Sequence, residues 1–100
     1  MPTGGQVYSL NSIALTLGSW ILISNVTFNS FSNTYAAISI SSTSAIDQNS
    51  EVVVLIVNGA PVLNLTRAFT ITSNQTWYLL AQCGSANTVN YVNFYAMRIG

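Results

Sequence analysis

Apolar residues recur at every second position through most of this chain. In "SWILISNVTF", residues 19 to 28, Trp20, Leu22, Val26 and Phe28 fall on one side of an extended backbone, with Ile21, Ile23, Asn25 and Thr27 on the other. A period of two belongs to a strand. Because both sides carry apolar residues, this strand is expected to be covered on both faces. "NTYAAISISS" alternates likewise, with Ala36, Ile38 and Ile40 opposite Tyr35, Ala37 and Ser39. Its Ser, Thr and Ile suit a pleated surface better than a helix.

Further along, "EVVVLIV" reads as a β-branched strand, and in the "NGAP" that follows Asn58 and Gly59 supply the positive φ of a tight hairpin turn. "RAFTIT", "TWYLLAQC" and "TVNYVNFYAMRI" complete the run, separated by the turn-forming "SNQ" and "GSAN". With "QVYSL" and "SIALTL" at the start, the pattern predicts about eight short strands and no helix. The expected fold is an all-β antiparallel sandwich or jelly roll. It forms a single domain over residues 7–100, behind a flexible lead-in at residues 1–6.

Charge changes the picture most. The only acidic and basic side chains are Arg67, Arg98, Asp47 and Glu51, whereas Ser, Thr, Asn and Gln together number 38. Solubility therefore rests on hydroxyls and amides, a surface suited to association with copies of itself. Two arginines cannot track a phosphate backbone, so nucleic acid is excluded as a partner. The longest apolar run, "VVVLIV" at residues 52 to 57, is far short of the roughly 18 residues a spanning helix needs, so no membrane insertion is expected. No basic segment precedes an apolar one at the N-terminus, and no secretion signal is visible.

Catalytic inventory is equally thin. The chain has no histidine and no carboxylate cluster, so neither a catalytic site, a metal site nor a cofactor is expected. Asp47 and Glu51 are the sole acid pair, and two carboxylates can flank a sugar bond in a glycosidase. Both lie in or beside the polar segment 41–50, where they read as solvated loop charges. Cys83, with no histidine to activate it, reads as a small buried hydrophobe. Three Asn-x-Thr matches, at Asn25, Asn64 and Asn74, are what a chain this rich in Asn and Thr contains by composition.

The order of "SIALTLGSWILISNVTF", "YAAISISSTS", "TWYLLAQ" and a closing "FYAMRIG" resembles the C-terminal jelly-roll domain at the tips of bacteriophage tail fibres and tailspikes. In that family a Leu-Thr-Gly-Trp approach precedes a long strand, a Tyr-Leu-Ala-Gln strand follows, and an Ala-Arg-Ile strand comes last. The chain departs from the pattern after Gln82, where "CGSANTVNYVNF" replaces a phenylalanine and a glycine-aromatic-glycine turn.

The resemblance implies a tumour-necrosis-factor-like homotrimer carried on a virion, acting as a fibre head, a trimerisation clamp or a receptor-binding tip. On that reading Trp77, Leu79 and Ala81 turn into their own sandwich, while Tyr78, Leu80 and Gln82 face the three-fold axis. Arg98 joins the interface, paired with Asp47, Glu51 or a neighbouring subunit's carbonyls. Host cell-surface carbohydrate is the expected ligand. Asn33, Tyr35, Gln48, Asn49, Asn87 and Asn90, in or beside the polar segments 29–34, 41–50 and 84–90, are its expected contacts. The alternative is a module that only locks a trimer and binds no receptor.

Overall fold

A computed structural model of the chain describes residues 4–29, 31–85 and 87–100, the side chains of residues 31–33 and 55–58 excepted. Seven strands follow one another: β1 (Tyr8–Leu15), β2 (Gly18–Phe28), β3 (Phe31–Ser41), β4 (Glu51–Gly59), β5 (Val62–Ile71), β6 (Gln75–Cys83) and β7 (Val89–Arg98). They form two sheets, ordered β1-β6-β3-β4 and β5-β2-β7, in which every pairing is antiparallel. The protein is an all-β sandwich, with no helix among the described residues. Only β3 and β4 are sequence neighbours within one sheet; every other connection crosses between sheets.

The strand count falls one below expectation because "QVYSL" and "SIALTL" are one strand. A bulge between Ser9 and Asn11 shifts β1 against β6, so that Ser9 faces Leu80 and Asn11 faces Leu79. The extra residue lets both Leu10 and Ile13 pack against the core despite an odd spacing that breaks strict alternation. The "RAFTIT" strand begins earlier than its pattern suggests, at Val62. There the period holds, with Leu63, Leu65, Phe69 and Ile71 packed in or against the core, but the charged Arg67 occupies one of the inward positions and disguises it.

Asn58-Gly59 does not make a hairpin between β4 and β5. Gly59 does take the left-handed backbone, at φ 96°, but the chain then leaves one sheet for the other. β4 pairs back on β3, β5 pairs on β2, and Phe28 N–H donates to the Pro61 carbonyl at 3.1 Å to fix the crossing. A positive φ redirects a chain without specifying the sheet it enters. The side chain of Asn58 lies outside those described.

Inward residues of both sheets form one core. Leu22, Val26 and Phe28 from β2 meet Ala36, Ile38 and Ile40 from β3 and Trp77, Leu79 and Ala81 from β6. Each large apolar side chain sequestered there contributes about 1.5–3 kcal/mol. Ser24, also inward, is satisfied by donating to the Leu65 carbonyl at 2.8 Å. On β2 the opposite side, Ile21 and Ile23, is only half-buried, so coverage of both faces is incomplete in the single chain.

Strand directions sort the connections between two ends of a body 42 Å long and 20 Å wide. At the near end lie Gly4 and Gly5, the 60–61 crossing and the β6–β7 connection; Gly5 N–H donates to the Cys83 carbonyl at 2.7 Å. At the far end lie the 42–50 loop, residues 72–74 and Gly100. The connection expected over 29–34 shrinks, because β3 already begins at Phe31.

Leu80 has no exposed surface within the single chain, although it stands outside the main core. Leu80→Asp is therefore expected to destabilise the fold itself by more than about 3 kcal/mol, whatever it does to assembly. Thermal denaturation checks this, with an expected fall in midpoint of at least about 12 °C.

Candidate functional site

The far-end loop is the most organised polar feature. Asp47 is its hub: its backbone N–H donates to Ser39 Oγ at 3.0 Å, and its carbonyl accepts from Ser50 N–H at 3.0 Å. Its Oδ1 accepts from Asn49 N–H at 3.0 Å, a local turn that aspartate side chains favour. Its Oδ2 meets Arg67 Nη1 at 2.5 Å. Ser41 and Thr43 hydroxyls accept from the backbone N–H groups of Thr43 and Ala45, which orders the rest of the turn. Gln48 and Asn49 are left pointing at solvent. Residues 41–43 and 45–49 line an open cleft of about 440 Å³, rich in hydroxyl and amide groups.

Arg67 connects this loop to the core. Its guanidinium reaches from β5 across the sandwich, donating from Nη1 to the Ile40 carbonyl at 3.1 Å as well as to Asp47. It lies 4.9 Å from the ring centroid of Trp77 and 5.9 Å from that of Phe69, and the two rings stack with centroids 4.0 Å apart. Charge-assisted bonds and aromatic faces together compensate for drawing the cation away from water. The Arg67 guanidinium holds the Asp47 carboxyl below its usual range, helped by the Asn49 N–H.

The six expected carbohydrate contacts do not converge. Gln48 and Asn49 belong to the far-end cleft. Tyr35, Asn87 and Asn90 gather toward the near end. There the Tyr35 carbonyl accepts from Gly84 N–H at 3.0 Å, and Asn87 Nδ2 donates to the Asn29 carbonyl at 3.3 Å. Asn90 is the bulged residue of β7, exposed between Val89 and Tyr91, which face Phe28 and Thr27. Asn33 is in β3 near the same end, but its side chain lies outside those described.

The expected interface residues also separate. Tyr78, Leu80 and Gln82 share the outer face of the four-stranded sheet, where Gln82 Nε2 donates to the Gly5 carbonyl at 2.7 Å. Arg98 belongs to the other sheet, pairs across from Trp20, and is exposed. It takes neither Asp47 nor Glu51 as partner: its Nη2 donates to the Leu17 carbonyl at 3.3 Å, and its guanidinium lies 5.7 Å from the Trp20 ring centroid. Asp47 stays partly exposed in its loop, with 27% of its side-chain surface accessible, and pairs with Arg67 as well. Sequence reasoning missed this pair, although an arginine at an inward position in "VLNLTRAFTI" was the available signal.

Cys83 is buried, and burial pushes its thiol up, away from the reactive thiolate. Among the described residues no cluster of His, Cys, Asp and Glu has the makings of a metal site. Comparison with family models, with curated proteins and with solved structures finds no match to this chain.

The loop should respond to acid. A carboxyl depressed in the folded state contributes stability above its unfolded value, about 3.9, and that contribution is lost as pH falls through the lower folded value. The thermal midpoint of the native chain should thus drop as pH falls below about 4. Asp47→Asn should begin less stable and show a smaller drop over the same range in a pH series of melts. Arg67→Met should cost about 1–3 kcal/mol by chemical denaturation, since it strands the Ile40 carbonyl.

Proposed function

We propose that this chain is a non-enzymatic head domain of a viral fibre or tailspike, a homotrimeric jelly roll that holds three chains together and attaches them to host-surface carbohydrate. The observation that carries the reading is the strand order. β1-β6-β3-β4 and β5-β2-β7 follow the order expected for the two sheets of an eight-stranded jelly roll with one edge strand, beside β7, left out. The single in-sheet connection, β3 to β4, falls where that fold has its own.

Attachment belongs to the far end. A head carried on a fibre through its N-terminal side presents the opposite end outward, and here that end holds the cleft with Gln48 and Asn49 at its rim. The hub at Asp47 fixes the loop before any ligand arrives, which lowers the entropy lost on binding. One such polar site is weak, roughly millimolar. Three on a rigid head act together, and avidity can raise apparent affinity by about two to four orders of magnitude. One observation favours the assembly-only alternative: no aromatic side chain lines the cleft, so a sugar ring has nothing to stack on there.

Light scattering at micromolar concentration is expected to give the mass of three chains, and the purified trimer should adsorb to host cells independently of salt. Gln48→Ala with Asn49→Ala should abolish adsorption without changing mass. Asn87→Ala with Asn90→Ala, at the other end, should leave it intact. A trimer that adsorbs to no verified host would support the assembly-only module, and a monomer would remove the fibre-head reading.

A further inference from the structure

We infer that the outward face of the three-stranded sheet is the surface through which copies of this chain associate, with a row of three asparagines setting their register. The inference rests on the assembly half of the proposed function and gives that assembly a location.

The face follows from the register of β2 with its two neighbours. Ile21 lies between Ala68 and Met97, Ile23 between Thr66 and Tyr95, Asn25 between Asn64 and Asn93, and Thr27 between Val62 and Tyr91. These twelve positions all point away from the core. None is charged; the four charged side chains of the molecule stand elsewhere. Val62 is 57% exposed, Tyr91 59%, Tyr95 42% and Met97 52%, so half of the large hydrophobics exposed among the described residues share this one face. With strands about 4.8 Å apart and outward residues about 6.8 Å apart, the face measures on the order of 350 Å² in plan. A patch of that size is common on monomers, so the composition of the face and not its area points to a partner.

The asparagine row identifies the partner. Asn64, Asn25 and Asn93 stand side by side across the sheet, and none of their amide side chains hydrogen-bonds to another described residue. Each amide is donor and acceptor at once, so an amide row is complemented by another amide row. A purely apolar partner, or a lipid, would bury three unsatisfied amides, each at a cost in affinity. A charged partner would meet no counter-charge. A second copy brings the same neutral surface and the same row, and a polar row inside an apolar contact penalises displaced registers.

The opposite sheet is a poorer candidate. Among the described side chains, its outward Ala37, Ser39, Ser41 and Leu80 are already buried by the chain itself, and its exposed large outward hydrophobic is Val53; the side chains of residues 55–58 lie outside those described.

The test places a lysine on each outer face and reads mass by light scattering, with circular dichroism to confirm folding. Tyr95→Lys and, separately, Met97→Lys are expected to weaken association at least tenfold, while Tyr78→Lys on the other sheet remains assembled. Asn25→Leu is expected to stay associated but to lose a single defined mass. If Tyr95→Lys and Met97→Lys keep the native mass, the inference is overturned. If Tyr78→Lys alone dissociates, the surface is wrong and the trimeric reading stands. A native chain that is monomeric at high micromolar concentration overturns both, and a uniform mass for Asn25→Leu removes the role of the row.

Discussion

One cation between two sheets constrains the rest of this molecule. Arg67 occupies an inward position of β5, where neighbouring positions carry Leu65 and Phe69, and its side chain keeps only 27% of its surface exposed, so protein groups must replace part of its hydration. Its satisfaction requires three separate pieces to be in place: the Ile40 carbonyl at the end of β3, the stacked rings of Phe69 and Trp77, and the carboxylate of Asp47. The arginine thereby ties both sheets together and recruits the longest loop to the far end. The order of the cleft is a consequence of a packing requirement in the sandwich.

The two outer faces answer the scarcity of charge differently. On the four-stranded sheet small residues sit between larger ones, and chain neighbours cover them, as when Ser39 exchanges hydrogen bonds with the Asp47 backbone. On the three-stranded sheet Tyr91, Tyr95 and Met97 stay exposed. With so few charged side chains, solubility of such a face depends on amides and phenols. Those groups hydrogen-bond water while exposed, and burying them costs free energy unless a partner supplies matching donors and acceptors.

Distance along the body separates the two activities proposed here. Strands of about ten residues run the length of the sandwich, so their connections collect at ends tens of ångströms apart. The outward sheet face lies along the side and the cleft at the far end. A contact along the side would leave that end open.

Much of this architecture was legible in the alternation of residues. Trp77, Leu79 and Ala81 belong to the core and Tyr78, Leu80 and Gln82 to the other face, because side chains of a strand alternate by geometry alone. The polar loop at residues 42–50 was visible for the same reason: nothing in it can form a buried strand face. Tertiary structure decided what periodicity cannot encode. It placed β5 across the sandwich from β4, absorbed Leu10 into a bulge, and sent Gln48 and Asn49 to the end opposite Asn87 and Asn90. It gave Asp47 to Arg67 rather than to Arg98, and it aligned Asn64, Asn25 and Asn93 into one row. Alternation is local, fixed by the backbone of each strand. Which strands pair, and in what register, depends on packing between residues far apart in the chain.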